Sequence, residues 1–243
     1  AIAMAIEGLR RLCPDISGRT FLDIGCGSGL SSLAALRLGA TRVLATDIDE
    51  NSVKTTRSVL SRYAPNGNWS VMECSVFELT PDDERFDVVY SWGVLHHTGA
   101  MWDAIARAAA LVSEGGTLVI AIYRKTPLCG IWRIEKSIYS RLPYPLQTPI
   151  RLSYTALFSL GLLASGRNPV TYAREYVLKR GMRWQIDIHD WLGGYPYESA
   201  AADDIERFLN DRGFPHIDFH LASNVRLGGL FGSGCDEYSA KRG

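Results

Sequence analysis

The sequence predicts an α/β protein built on a doubly wound, mostly parallel sheet, with a helical lid inserted after the fifth strand. Three observations predict it. Short apolar, strand-like runs alternate with helical ones from residue 20 to residue 123, which implies successive βαβ units. A glycine-rich turn, Gly25-Cys26-Gly27-Ser28-Gly29, sits where the first strand gives way to a helix. After Tyr123 the alternation stops and the composition changes.

Each element has its own signal. Residues 1–12 alternate Ile, Met and Leu with Glu and Arg at helical spacing and end before Cys13-Pro14. Thr20–Ile24 reads as the first strand, and Leu30–Leu38 as a small-residue helix closed by Gly39. Arg42–Thr46 is the second strand, ending at Asp47; Asn51 is the expected cap of a helix running to Tyr63, and Pro65-Asn66-Gly67 is turn chemistry. Trp69–Met72 and Phe86–Ser91 are strands three and four. A helix over Met101–Val112 leads through Glu114-Gly115-Gly116 to strand five, Thr117–Tyr123. Residues 124–198 carry no clear strand and hold six of the ten prolines. Ser199 opens an amphipathic helix with Ile205, Phe208 and Leu209 on one side; His216–Leu221 alternates like a strand, and Glu237–Ala240 is a last short one. Residues 1–123 therefore read as a Rossmann-like core, 124–198 as an inserted lid, and 199–243 as the helix and strands that complete the sheet.

A chain of 243 residues is long enough for one elaborated α/β domain. Its 26 Lys and Arg balance 26 Asp and Glu, which excludes a uniformly basic nucleic-acid binder, so no nucleic-acid partner is expected. The 47% hydrophobic and 21% charged content argues against global disorder. No apolar run approaches the ~20 residues that span a bilayer, so no transmembrane segment is expected. Cys13, Cys26, Cys74, Cys129 and Cys235 are scattered, without CxxC or zinc spacing, and read as reduced thiols. With no charged segment ahead of an apolar one at the start, the expectation is a cytoplasmic protein; a missing native N-terminal segment and the oligomeric state stay open.

The balanced total hides an asymmetry. From Arg124 to Arg183 there are eleven Lys and Arg against two acids, Glu135 and Glu175. Such a shift marks an inserted module with its own job.

Glycines in the first turn let the backbone bend tightly and approach a ligand, while the helix that follows offers free N–H groups. The third glycine of the usual dinucleotide spacing is missing, because Leu30-Ser31-Ser32 follows. Asp47 closes the next strand, where an acid can hydrogen-bond ribose hydroxyls. Together these predict nucleoside binding.

Four segments in order, FLDIGCGSG, VLATDID, FDVVYSWGVLHH and EGGTLVIAIY, resemble the class I S-adenosylmethionine-dependent methyltransferases. Among these the chain is similar to quinone-type and small-molecule O-methyltransferases. The resemblance covers residues 18–123 well and 199–240 loosely. It implies S-adenosyl-L-methionine as cofactor and S-adenosyl-L-homocysteine as product. It places Asp23, Gly25, Cys26, Gly27 and Gly29 around the methionine part, Asp47 at the ribose, Ile48 on the adenine, and Ser75 and Val76 at the adenine edge. Ser91, Trp92 and Gly93 then face the sulfonium. Where relatives more often carry Asp, this chain has Ser75, so recognition there falls to the Val76 backbone amide.

The end of strand four narrows the acceptor. Amino-methylating enzymes of nucleic-acid bases carry an Asn/Asp-Pro-Pro-aromatic motif there, and metal-dependent catechol-type enzymes a carboxylate; this chain has Ser91-Trp92-Gly93-Val94. No metal is expected. His96 and His97 follow, and an imidazole can accept the proton of an attacking hydroxyl. The resemblance favours His97 over His96 as the base.

In the lid, Gln185–Glu198 is the densest polar-aromatic segment. It is either a rigid loop shaped by Gly193-Gly194 and Pro196 or a recognition loop, with His189 and Tyr195 as further catalytic candidates and Asp190 and Tyr197, together with Tyr123, as acceptor contacts. Leu152–Leu163 is apolar and bounded by Arg151 and Arg167. It is either a core helix or a segment that lies on a membrane surface or lines a lipophilic pocket. The reading is an O-methyltransferase for a small-molecule or lipid-linked acceptor, with peripheral membrane contact through the basic lid as a further partner. The alternatives are an N-methyltransferase acting on an amine or peptide, with Asp187, Asp190 and Glu198 lining its pocket, and a cofactor-binding protein without catalysis.

Overall fold

A computed structural model describes residues 1–82, 84–180, 183–222, 229–230 and 232–243, with the backbone alone at 179 and 180. In chain order the elements are α1 (Ile2–Leu12), β1 (Thr20–Ile24), α2 (Leu30–Arg37), β2 (Arg42–Asp47), α3 (Glu50–Tyr63), β3 (Trp69–Glu73), β4 (Phe86–Trp92), α4 (Met101–Ala110) and β5 (Val112–Tyr123). Then come α5 (Cys129–Arg141), α6 (Tyr144–Ala164), α7 (Pro169–Arg180), α8 (Trp184–Gly193), α9 (Ala202–Asn210), β6 (His216–His220) and β7 (Cys235–Lys241). They separate into two compact units, one around the sheet and one of helices α5–α8.

In the sheet unit the strand order is β3-β2-β1-β4-β5-β7-β6. The first five strands are parallel, and β7 runs antiparallel to both β5 and β6. Both faces are covered: four of the five residues of β1 are buried, and apart from Asp23 the buried side chains pointing either way are apolar. Alternation assigns them. Leu22, Leu44, Val89, Leu118, Ile120 and Ile122 point to the core packed by α4 and α9. Phe21, Val43, Val88, Tyr90 and Val119 point to the opposite core, under α1 and α2. The chain runs from β1 outward to β3 and then returns to the other side of β1 as β4, so the strand order reverses between β1 and β4. A ligand crevice opens at such a reversal, at the carboxyl ends of the two strands.

Several boundaries differ from the sequence expectation. Asp49, not Asn51, caps α3, because its carboxylate accepts the Ser52 N–H at 2.8 Å. The helix expected from Ser199 begins at Ala202, since Ala200 is drawn into a bridge with Arg124. Glu114-Gly115-Gly116 is not a link before strand five but an irregularity inside β5, where the register with β4 shifts. Glycine is needed there twice over: Gly115 has φ +69°, and a Cβ on Gly116 would stand 2.9 Å from the Asp87 carbonyl oxygen. Where the chain leaves and re-enters the sheet it is tied down, with Lys125 N–H donating to Ala200 O at 2.9 Å and Ala200 N–H to Tyr123 O at 3.0 Å. The buried Asp236 of β7 accepts a forked pair from Arg124, Nε at 2.9 Å and Nη2 at 2.7 Å, at the same place.

The helical unit has its own core of Tyr139, Leu162, Trp184, Ile188 and Leu192, with Trp132, Tyr154, Phe158 and Tyr172 packed around it. Gly229, Leu230, Gly232 and Ser233 group with these helices rather than with the sheet. Trp132 Nε1 donates to Gly229 O at 2.7 Å, and the Tyr197 hydroxyl donates to Ser233 Oγ at 2.9 Å. Most of Gln185–Glu198 is helix, not loop. Trp184, Ile188 and Leu192 recur at four-residue spacing and form the buried stripe of α8, and Gly194 has φ −72°, open to any residue. Lys136 is also enclosed here: its ammonium donates to the Trp191 carbonyl and lies 3.5 Å from the centre of the Trp191 ring.

Candidate functional site

The glycine loop occupies the crevice. Gly25, Gly27 and Gly29 all have positive φ, +75°, +51° and +73°. Each is glycine for a different reason. A Cβ on Gly25 would meet Val94 at 2.4 Å, and one on Gly29 would stand 2.9 Å from the Thr56 backbone. On Gly27 a Cβ would meet nothing within 4 Å, so there only the backbone angle demands glycine and the space above the loop is open. The N–H groups of Gly25 and Cys26 donate to Thr46 O at 2.8 and 3.0 Å, holding the loop against the end of β2. No side chain caps α2, so its first turn presents backbone N–H groups toward the loop.

Asp47 ends β2 half-buried. One carboxylate oxygen accepts the Gly27 N–H at 2.9 Å and the other the Asp49 N–H at 3.0 Å. Two backbone donors fix the plane of the carboxylate, and each oxygen keeps a lone pair for another donor. Ile48 follows with 75% of its surface exposed, an apolar side chain with no packing role of its own. Asp23 is buried beneath the loop and accepts the Ser32 hydroxyl at 2.6 Å. Burial pushes its carboxyl up to about 6. Cys26 is buried as well, its sulfur accepting from the Thr56 hydroxyl at 3.3 Å, and burial pushes the thiol up to about 12. Beyond β3, Val76 is buried in the core, whereas the Ser75 N–H donates to Glu78 Oε2 at 2.7 Å.

At the end of β4, the buried Ser91 hydroxyl donates to Ile24 O at 3.0 Å, stitching β4 to β1 at the crevice. Trp92 is 40% exposed, and its Nε1 donates to Glu237 Oε1 at 2.8 Å. The other oxygen of Glu237 accepts from Arg11 at 2.6 Å. Sequence reading missed Glu237, and no local signal marks it: it reaches Trp92 only because β7 pairs antiparallel with β5, which sets Glu237 opposite Ala121. Leu95–His97 then forms a single 3₁₀ turn that separates the two histidines. His96 is fully buried, with its ring 4.0 Å from that of Tyr123. His97 is half-buried and edge-on to Tyr123 at 5.3 Å. The structure thus brings Asp23, the glycines, Asp47, Ser91, Trp92, His97 and Tyr123 to one end of the sheet.

The other candidates belong to the helical unit. His189 accepts or donates through Nδ1 to the Tyr139 hydroxyl at 2.8 Å, and Asp190 is exposed on the same helix. Tyr195 is 37% exposed, with the Arg141 guanidinium 5.3 Å from its ring centre. Tyr197 is buried, its hydroxyl engaged by Ser233.

Comparison with known proteins agrees with this geometry. Residues 21–116 match a methyltransferase domain family. The chain is 31% identical over 121 residues to the ribosomal protein L11 methyltransferase of Aeromonas hydrophila, an alignment covering 49% of this chain and 40% of that protein. It thus spans well under half the length of that curated relative. Among solved structures it is similar to magnesium protoporphyrin IX methyltransferase from Synechocystis with bound SAH (TM-score 0.56, 20% identity, 100% of this chain and 81% of that one). It is similar also to the N-methyltransferase NodS from Bradyrhizobium japonicum (TM-score 0.54, 13% identity, 99% of this chain and 95% of that one). The glycine loop and Asp47 at the β1/β4 reversal lie in the stretch that the family matches: residues 21–116 carry a methyltransferase domain, and the fold is that of the class I S-adenosylmethionine-dependent methyltransferases.

Proposed function

We propose that the protein transfers a methyl group from S-adenosylmethionine to an oxygen of a small-molecule or lipid-linked acceptor, leaving S-adenosylhomocysteine. The observation that carries the oxygen is His97, the accessible one of two adjacent histidines, half-buried just past the end of β4 beside Tyr123.

The residues present fit the cofactor. Asp47, fixed by two backbone donors, offers its remaining lone pairs to ribose hydroxyls. Ile48 offers exposed apolar surface to the adenine, and the Val76 amide its edge contact. Gly27 lets the main chain come close where a side chain would intrude, and Asp23 lies below with its charge available to an ammonium. When bound, the cofactor supplies a methyl carbon on a positively charged sulfur, which departs as a neutral thioether. For its part the chain holds an acceptor hydroxyl against that carbon, and an imidazole nitrogen of His97 takes the hydroxyl proton as the oxygen–carbon bond forms. Alignment and exclusion of water supply the remainder of the rate. In the sheet unit acceptor recognition falls to Tyr123; the helical unit carries His189, Asp190 and Tyr195 as further candidates, whereas Tyr197, buried with its hydroxyl engaged by Ser233, is not available to an acceptor. The hydrogen bond to Tyr139 leaves His189 Nε2 as its nitrogen for chemistry.

The solved N-methyltransferase of similar fold keeps a nitrogen acceptor in view. The deciding experiment supplies methyl-deuterated cofactor with a panel of phenols, carboxylic acids and amines, and locates the label by fragmentation. Label on oxygen supports the reading, and label confined to nitrogen overturns it. Cofactor binding by calorimetry with no S-adenosylhomocysteine formed would leave a binding protein.

A further inference from the structure

The helical unit leaves an unusual amount of aliphatic surface uncovered. Of the fifteen exposed Ile, Leu and Val among the described residues, eleven lie on α5, α6 and α7. On α6 they share one face. At 100° per residue the exposed positions of this helix, from Pro145 to Ala164, fall within a sector of about 140°. That sector holds Leu146, Leu152, Leu157, Leu160 and Leu163, each at least 53% exposed, and Ser153 is its single polar residue; no charge interrupts five turns. The opposite face of α6 packs Tyr154, Phe158 and Leu162 into the helical core, so the helix is apolar all round but covered on one side only.

The surface continues past both flanks. On one side a groove of about 330 Å³, with the half-buried Glu135 in its wall, joins Ile150 to the Ile131, Ile134 and Ile138 stripe of α5. On the other a groove of about 390 Å³ joins Ser159 to Val170 and Val177 of α7. Continuous exposed apolar surface on this scale marks an interaction site. Charge identifies the partner. The fully exposed charged residues from Cys129 to Leu178 are all arginines, Arg133, Arg141, Arg167 and Arg174, while the two acids of that stretch, Glu135 and Glu175, are half-buried. Arg141 follows the isoleucine stripe, Arg167 stands just past the end of α6, and Arg174 falls on the same side of α7 as Val170 and Val177. A second copy would meet this face with the same four exposed arginines against two half-buried acids, a net like-charge contact across an isologous interface. An anionic bilayer offers what both halves of the surface lack: hydrocarbon for the leucines and negative headgroups for the arginines around them. No helix among the described residues is long and apolar enough to cross a membrane, so α6 would lie in the interface plane.

We propose that the α5–α7 face seats the protein on an anionic lipid surface, with α6 as the inserted helix. The inference is independent of the methyl-transfer reading. Its test is flotation of the full chain with vesicles of phosphatidylcholine alone and of phosphatidylcholine mixed with phosphatidylglycerol. The expected result is binding to the mixed vesicles that weakens with added salt and falls tenfold or more in the Leu157→Asp, Leu160→Asp double variant. Those side chains are exposed, so the variant should keep its melting temperature and its calorimetric affinity for S-adenosylmethionine, which separates loss of docking from loss of fold or site. Equal binding to neutral vesicles, or undiminished binding by the double variant, overturns the proposal. So does absence of vesicle binding alongside a dimer, seen by light scattering, that the double variant dissociates; the face would then belong to a second copy.

Discussion

The two units of this chain treat apolar surface in opposite ways. In the sheet unit the middle stretches of β1, β2, β4 and β5 are buried, and among the described residues only two Ile, Leu or Val side chains of this unit, Ile48 and Leu221, are exposed. In the helical unit one face of α6 is buried and its other face, equally apolar, is bare. The difference teaches where function sits in each. Around the sheet, the proposed chemistry is concentrated at one reversal of strand order and held by backbone geometry, so single side chains should decide it. Over the helices, the feature that stands out is spread across eleven side chains, none of them individually decisive.

The sharpest way to break this contrast is His97→Ala. As a base toward the acceptor it should carry ~10²-fold or more of turnover while affinity for S-adenosylmethionine stays near that of the parent chain. Stopped-time turnover and calorimetry on the same sample read both. A variant that loses affinity along with rate would make His97 a support for the crevice instead.

Asp47→Ala comes next. It removes the acceptor of two backbone N–H groups, at Gly27 and Asp49, as well as the proposed partner of the ribose. Loss of such charged hydrogen bonds costs about 1.5–3 kcal/mol, at least tenfold in cofactor affinity. Calorimetry showing unchanged affinity in a folded variant would take Asp47 out of the site. In the helical unit the expectation reverses: His189→Ala and Tyr195→Phe should raise the acceptor's KM several-fold and leave cofactor affinity within about twofold. An effect on the cofactor alone would deny these residues a part in acceptor recognition.

The contrast also explains what could be read in advance. Parallel strands buried on both faces appear as apolar runs, and the glycine turn and Asp47 have fixed places relative to them, so the sheet and most of its crevice were legible. Ser91 and Trp92 were legible as positions, not as contacts. Glu237, which braces Trp92 and Arg11, depends on the register of an antiparallel strand more than a hundred residues away, and sequence spacing carries no such information. In α8 the eye is drawn to His, Asp, Tyr and paired glycines, whereas the element is set by Trp184, Ile188 and Leu192. For α6 the apolar run was plain, but which half of it would be covered depends on the aromatic core formed with α7 and α8.

The smallest expected effect concerns Asp23 and tests what the sheet unit bears for its site. Burial raises this carboxyl to about 6 from an ordinary value near 3.8. Between those two values the folded chain retains a proton that the unfolded chain has released, so stability falls as pH rises through the window. Above about pH 6 the group is ionised and buried, at a cost on the order of 3 kcal/mol. Asp23→Asn keeps the shape and an acceptor for the Ser32 hydroxyl but cannot ionise. The variant should therefore melt several degrees above the parent chain at about pH 8 and close to it at about pH 4. If the carboxylate is retained for the cofactor's ammonium, the same variant should bind S-adenosylmethionine more weakly at the higher pH, stability and affinity moving in opposite directions. A melting difference that does not change with pH would show that packing around Ser32, and not the charge of Asp23, is what the substitution alters.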